Sequence, residues 1–197
     1  DVYKRQIYVS DSGDDNTGDG TQDNPFATLK EINDYITNND LASVEIKVVG
    51  DLTIDSWDTP EGVSITLTGT DEQSRILFEK KSSSKMEYNI SMGGALTVDS
   101  IQLDCTYEPG IVSTMKSGAY TIVANGNPLI IGNNAEAVYS TDWTNRNHII
   151  GGALGTDLDS DPNVEIYTSL PNTYVVGGCS GGNLTGDITL TVEDATV

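Results

Sequence analysis

The stretch that decides the fold runs from Ile7 to Ile36 and contains Gly20-Thr21-Gln22-Asp23-Asn24-Pro25-Phe26-Ala27-Thr28-Leu29. It begins with a short apolar strand, Ile7-Tyr8-Val9-Ser10, which an acidic, glycine-rich loop follows. Asn24 is a favourable N-cap and Pro25 suits the first helical position, so the pattern predicts a helix from there. Apolar residues then recur at helical spacing, at Phe26, Leu29, Ile32 and Ile36. Because only strand-like segments follow, we expect this helix to cover one end of a β-structure.

The same stretch resembles the N-terminal cap of right-handed parallel β-helix proteins of the pectate-lyase type. The matching positions, in order, are Tyr8-Val9-Ser10, Gly13, Asp14, Gly20-Thr21, Pro25-Phe26 and Thr28-Leu29. The resemblance covers the cap and implies an architecture. It implies no particular activity, because one fold hosts many functions.

Downstream of the cap, apolar and polar residues alternate in short runs bounded by turn residues, which is typical of strands. Ile149-Ile150-Gly151-Gly152-Ala153 returns as Val175-Val176-Gly177-Gly178-Cys179, so Ile149 corresponds to Val175 and Ala153 to Cys179. By the same reasoning, the strand at Val44 corresponds to the one at Val63, and the strand at Val164 to the one at Ile188. The corresponding strands lie 19 to 26 residues apart in the sequence. Repeats of this length are typical of solenoid coils. We therefore predict an all-β fold, a right-handed parallel β-helix (β-solenoid) with a short N-terminal capping helix.

The sequence divides into three segments. Residues 1–6 back-translate to GAT GTG TAT AAG AGA CAG, which resembles a transposase adapter end, so we interpret them as a sequencing artefact on a metagenomic fragment. Residues 7–42 form the predicted strand–loop–helix cap, and residues 43–197 form the predicted coils. Because the sequence stops directly after a strand, we expect the coils to be truncated at the C-terminus.

The composition limits the kinds of partner that this chain can bind. The 197 residues carry 10 basic and 30 acidic side chains, a net charge of −20, which argues against binding of nucleic acid. No segment approaches the length of a membrane-spanning helix, so we expect no membrane insertion. The acidity instead suits an extracellular or cell-surface protein that meets polysaccharides and divalent cations.

The two cysteines, Cys105 and Cys179, fit no metal-binding spacing and are interpreted as small buried residues, with a disulfide as the alternative.

Two acidic loops are candidate calcium sites. In the loop from Asp11 to Gly20, the aspartates lack the EF-hand pattern, which favours a turn with local backbone hydrogen bonds. The loop Asp157-Leu158-Asp159-Ser160-Asp161-Pro162 places three carboxylates at alternating positions. Because such crowding is costly without a counter-ion, Asp157, Asp159 and Asp161 are the better candidate ligands for calcium. A solvated loop remains the alternative.

A polar stretch from Ser140 to His148 contains the candidate ligand-binding residues: Asp142, Trp143, Arg146 and His148. A tryptophan among polar groups suits stacking on a sugar ring, and Arg146 suits the carboxylate of a uronate. The alternative is a polar loop with an anchoring tryptophan and a structural histidine.

We therefore predict a non-catalytic segment of a secreted or cell-surface bacterial β-helix protein, adhesin-like, which binds a polysaccharide or a host or cell-surface glycan. The alternative function is that of a calcium-dependent polysaccharide (uronate) lyase with most catalytic coils missing. The resemblance implies that such a lyase would use a lysine or arginine base facing aspartates on one sheet. Lys47, Arg75 and Lys116 show no such partner in the sequence.

Overall fold

The computed structural model describes residues 5–79, 87–105, 119–138 and 146–193. Within them the chain forms one helix, α1 (Leu29–Asn38), and 18 strands, numbered here in chain order. The seven-stranded sheet contains, in spatial order, β1 (Arg5–Val9), β2 (Ser43–Val48), β5 (Ser64–Gly69), β8 (Leu96–Val98), β11 (Leu129–Ile131), β15 (Asn163–Ile166) and β18 (Thr189–Val192). The five-stranded sheet contains β4 (Trp57–Asp58), β7 (Ile90–Ser91), β10 (Thr121–Val123), β13 (Asn147–Ile150) and β16 (Thr173–Val176). The four-stranded sheet contains β3 (Asp51–Ile54), β6 (Arg75–Phe78), β9 (Gln102–Asp104) and β12 (Glu136–Val138), and a small sheet pairs β14 (Leu158–Asp159) with β17 (Leu184–Thr185).

The chain visits the three large sheets in turn. From β2 to β13, each cycle adds one strand to the seven-stranded, then the four-stranded, then the five-stranded sheet. All strand pairs in these sheets are parallel, because the chain returns in the same direction on every cycle. This arrangement confirms the prediction of a mainly parallel β-structure with one short helix, and it is compatible with a solenoid.

Rows of apolar side chains fill the interior. In the seven-stranded sheet one row consists of Val44, Ile65, Leu96, Leu129 and Val164, each paired in register with the next and each buried. The residues between them along each strand are polar or half-buried, because successive side chains of a strand point to opposite faces. Burial of each such side chain contributes about 1.5–3 kcal/mol, so the stacked rows stabilise the packing of the sheets.

The strand register confirms one predicted repeat and corrects two. Ile149 pairs with Val175, which is the correspondence expected from the sequence. Val44 pairs with Ile65 rather than Val63, and Val164 pairs with Leu190 rather than Ile188. Each predicted partner lies two residues before the observed one in the sequence. Because the side-chain period of a strand is two, such a shift leaves the apolar pattern on the same face and cannot be detected from it.

The cap helix begins later than predicted. Its N-cap is Thr28, whose side chain accepts a hydrogen bond from the Glu31 backbone N–H at 3.2 Å. The prediction of Asn24 as N-cap is wrong because Phe26 pairs with β1: its N–H donates to the Tyr8 carbonyl, and its carbonyl accepts from Ser10. The predicted apolar face is nevertheless present, and its members are all buried: Phe26, Leu29, Ile32 and Ile36.

The connections between sheets differ in length from one corner to another. Those from the seven-stranded to the four-stranded sheet are short, at residues 49–50, 70–74, 99–101 and 132–135. Those from the four-stranded to the five-stranded sheet are residues 55–56 after β3 and residues 79–89, 105–120 and 139–146 after β6, β9 and β12. Of these, residues 80–86, 106–118 and 139–145 lie outside the described residues.

Candidate functional site

Two of the four predicted ligand-binding residues lie at the start of β13. His148 is the second residue of this strand and Arg146 immediately precedes it. Asp142 and Trp143 lie outside the described residues. Ile149 is fully buried, so its neighbour His148 projects to the outer face of the five-stranded sheet.

Tyr174 of strand β16 joins these two residues. It is the register partner of His148, and the two rings stack with centroids 5.8 Å apart and planes inclined by 23°. The Arg146 guanidinium carbon lies 4.5 Å from the centroid of the Tyr174 ring, within the range of a cation–π contact. We call Arg146, His148 and Tyr174 the aromatic platform.

The electrostatics of the platform come mainly from Arg146. Burial lowers the pKa of His148, and the positive charge of Arg146 lowers it further. The imidazole is therefore neutral at neutral pH, and the guanidinium carries the charge of the platform. Tyr174 keeps 49% of its surface exposed, which is high for an aromatic side chain.

A cavity of about 410 Å³ adjoins the platform. Arg146 and Tyr174 line it together with Asn172, Thr173, Val175, Leu190 and Val192. Val175 pairs in register with the buried Ile149, and Leu190 with the buried Val164, so the apolar part of the lining continues the inward-facing rows. The cavity therefore opens on the interior at the last described strands, and Arg146 and Tyr174 border its rim. The arrangement offers a surface for stacking, hydrogen-bonding groups and one positive charge.

Tyr174 was not predicted as a site residue, although a signal for it is present in the sequence. The repeat that relates Ile149-Ile150 to Val175-Val176 also relates His148 to Tyr174, one position earlier. In a parallel ladder, residues related by the repeat become neighbours on adjacent strands. Extension of the repeat by one position places this tyrosine beside the candidate histidine.

No protein-family model, curated protein or solved structure matches this chain. Any functional assignment therefore rests on the residues of the site.

The three carboxylates predicted to bind calcium accept hydrogen bonds from residues 26 positions later in the chain. The donors to Asp157, Asp159 and Asp161 are, respectively, the backbone N–H of Asn183 at 2.8 Å, the hydroxyl of Thr185 at 2.9 Å and the backbone N–H of Asp187 at 2.8 Å. In the part of the chain that the structure describes, no group of three or more His, Cys, Asp or Glu side chains could hold a metal ion. Calcium binding here stays a prediction, and the contacts observed for these carboxylates are with protein donors.

The aspartates of the first acidic loop also bind backbone and hydroxyl donors. Asp15 accepts from the N–H groups of Ala27 and Thr28 at 2.7 and 3.0 Å, and Asp11 accepts from the N–H of Thr53 at 2.8 Å. Hydrogen bonds, of which that from the Asn16 backbone is the largest contribution, lower the pKa of Asp14. These contacts agree with the interpretation of the loop as a hydrogen-bonded turn.

Arg75 does have acidic partners, contrary to the expectation from sequence. Its guanidinium forms two hydrogen bonds with the Asp51 carboxylate, at 2.9 and 2.8 Å, and lies 3.5 Å from a carboxylate oxygen of the buried Asp104. Arg75 is the register partner of Asp51 on the adjacent strand, so the pair depends on strand alignment. Lys47 pairs with Glu45 at 2.9 Å, and Lys116 lies outside the described residues.

The two cysteines are free thiols and occupy different environments. Cys105 is buried, as predicted, and its thiol lies 3.3 Å from the Val138 carbonyl oxygen. Cys179 is only half-buried, which corrects the expectation of a buried residue. Its sulfur accepts a hydrogen bond from the backbone N–H of Ala153, the residue one repeat earlier, at 3.3 Å.

Among the described residues, no helix has the length and apolar character needed to cross a bilayer.

Proposed function

We propose that the chain is a right-handed parallel β-helix of the pectate-lyase-like type, capped at its N-terminal end by α1. The cyclic visit to three parallel sheets supports this fold. The right-handed sense rests on the general preference of parallel β crossovers for that hand. The sequence resemblance of the cap supports the family.

On this scaffold, the proposed function is non-catalytic binding of a polysaccharide or cell-surface glycan by a secreted or surface-exposed bacterial protein. One observation carries the proposal: the half-exposed Tyr174 ring, held between neighbours on one sheet face and bordered by a cavity. A rigid exposed aromatic ring provides an apolar face for a sugar at low entropic cost. The acidic composition suits a secreted or surface-exposed protein. Adhesion follows from the same contact between Tyr174 and a glycan.

A glycan array probed with the purified chain and two variants tests the proposal. Tyr174→Ala should weaken binding to the recognised glycans roughly fivefold, since an aromatic contact contributes on the order of 1 kcal/mol. Tyr167→Ala is the matched control, because Tyr167 follows β15 of the seven-stranded sheet and its hydroxyl bonds to Glu165. If both variants lose glycan binding equally, or if neither variant changes it, the aromatic platform is not the glycan-binding site.

A second candidate is the uronate lyase, which the environment of Arg75 favours. An arginine between two aspartates on one parallel sheet is the feature expected of such an enzyme. However, the hydrogen bonds to Asp51 raise the pKa of Arg75, so its guanidinium stays protonated and is a poor base. We therefore expect no unsaturated product from polygalacturonate or alginate, with or without Ca²⁺. Product that depends on Ca²⁺ and is lost in Arg75→Gln would establish the lyase instead.

A further inference from the structure

We propose that His148 is a pH-sensitive switch of the aromatic platform: when its imidazole takes up a proton, Arg146 leaves the Tyr174 ring and glycan binding weakens. This inference rests on the glycan-binding function proposed above and concerns the regulation of that site. It follows from the arrangement of two basic side chains around one aromatic ring.

Both basic side chains of the platform contact the same ring. Arg146 and His148 are separated by one residue, Asn147, whose side chain is buried. The imidazole stacks on the Tyr174 ring, and the guanidinium carbon lies 4.5 Å from the centroid of that ring. The two side chains therefore project to the same outer side, with Cα atoms roughly 7 Å apart if the backbone is extended.

Few charged or titratable groups face His148. Strand β16 presents Tyr174 to it, and strand β10 presents Thr121, which carries no charge. Among the described residues, Arg146 is the charged group that acts on the imidazole, and no carboxylate lies within 4.0 Å of Arg146. A proton on His148 therefore adds a second positive charge to the same ring.

The coupling between the two basic side chains acts in both directions. Burial lowers the pKa of His148, and the guanidinium of Arg146 lowers it further. Coupling between two sites is reciprocal, so a protonated imidazole disfavours the observed position of the guanidinium by the same free energy with which the guanidinium opposes the proton. An imidazolium is also attracted to the face of an aromatic ring, so it competes with Arg146 for Tyr174.

Arg146 is the residue that moves. His148 lies within β13, between the buried residues Asn147 and Ile149, so the strand fixes its position. Arg146 precedes the strand and is exposed, so its long side chain turns into solvent without a desolvation cost. Tyr174 then keeps one of its two neighbours. A ring that is less well fixed loses more side-chain entropy when a sugar binds to it, which weakens binding.

An NMR titration between about pH 8 and pH 5, the range in which histidine changes charge, tests the inference. The side-chain protons of Arg146 lie near the Tyr174 ring, so their chemical shifts report the contact through the ring current. These shifts should move toward those of a free arginine, with the same midpoint as the signals of His148. In His148→Phe, which keeps an aromatic ring but binds no proton, they should stay constant.

Binding to the glycan array at both ends of this pH range tests the consequence. The parent chain should bind its recognised glycans roughly two- to fivefold more weakly at about pH 5, with the loss expected for Tyr174→Ala as the upper limit. Arg146→Gln lacks the guanidinium at every pH and should show the weaker binding throughout. His148→Phe should keep the stronger binding throughout.

Arg5 is the internal control in the NMR titration, because its guanidinium carbon lies 5.8 Å from the centroid of another ring, that of Tyr35. Its shifts should not follow His148. Arg146 shifts that stay constant while His148 titrates overturn the inference, and so does equal binding by the parent chain at the two pH values. If no arrayed glycan binds at either pH, the proposed function fails, whereas the NMR titration still shows whether the proton moves Arg146. Melting curves of every variant establish that each one is folded.

Discussion

Asp161 accepts a hydrogen bond at 2.8 Å from the backbone N–H of Asp187, which lies 26 residues later in the chain. Asp157 makes the same contact with Asn183, and Asp99 does so with Asn134 at 2.9 Å. Carboxylates of one cycle of strands thus accept hydrogen bonds from backbone N–H groups of the next cycle. Part of the acidity of the chain is structural, because each such side chain fixes the position of a neighbouring turn.

Replacement of Asp161 should therefore destabilise the fold. Asp161→Ala removes the acceptor of the Asp187 N–H, and we expect a loss of about 1 kcal/mol in the free energy of unfolding, near the net value of a single hydrogen bond. Urea denaturation measures it. Asp23→Ala is the control, because Asp23 is an exposed cap residue and its loss changes the net charge equally. Equal stability of the two variants would show that charge alone matters.

The N-cap of α1 offers a second test. The Thr28 hydroxyl accepts from the Glu31 N–H and donates to the Asp15 carboxylate at 2.6 Å. Thr28→Ala should lower the free energy of unfolding by about 1 kcal/mol, whereas Thr28→Ser keeps the oxygen and should lower it by less. Thermal and urea denaturation compare the two. Identical losses would point to the methyl group of Thr28 rather than to capping.

Two glycines at the same corner should differ in their tolerance of alanine. A Cβ at Gly94 would lie 2.2 Å from the Val63 carbonyl oxygen, so the two backbone segments would have to separate. A Cβ at Gly62 would meet no atom within 4 Å, and only its positive φ of 71° opposes the change. We expect a loss of about 1 kcal/mol for Gly62→Ala and a clearly larger loss for Gly94→Ala, both measured by urea denaturation. A larger loss of unfolding free energy for Gly62→Ala than for Gly94→Ala would contradict the close approach of Gly94 to Val63.

The histidine of the platform should titrate below its usual range. The chain has one histidine, so its NMR signal is unambiguous. Burial and Arg146 lower the pKa of His148 from 6.5, and Arg146→Gln should move it back upward. Because the unfolded chain then binds the proton first, the contribution of His148 to stability is present above pH 6.5 and decreases as the pH falls toward the lowered pKa. A pKa that Arg146→Gln leaves unchanged would place the guanidinium away from the imidazole.

Much of the fold could be predicted from local patterns. Alternation identified the strands around Val44, Ile65 and Val164, and helical spacing identified the apolar face of α1. The start of α1 could not be predicted, because Phe26 is held by strand β1, a contact between residues distant in sequence. The candidate site was predicted in part, since the sequence pattern pointed to Arg146 and His148 but not to Tyr174.

The sequence alone determined the type of the elements it identified, strand or helix, because the period of an apolar pattern and the identity of turn residues are local properties of the chain. It did not determine where α1 begins. It also determined the repeat that pairs Ile149 with Val175, but not the register of Val164, whose partner is Leu190. Only the tertiary structure decided the partners of Arg75 and Arg146. A register shift of two residues preserves every apolar face yet changes which polar side chains meet, so the strand alignment that alternation leaves open brought Asp51 to Arg75. The repeat aligns Tyr174 with His148, but the contact of the Tyr174 ring with Arg146, which precedes the strand, is visible only in the tertiary structure.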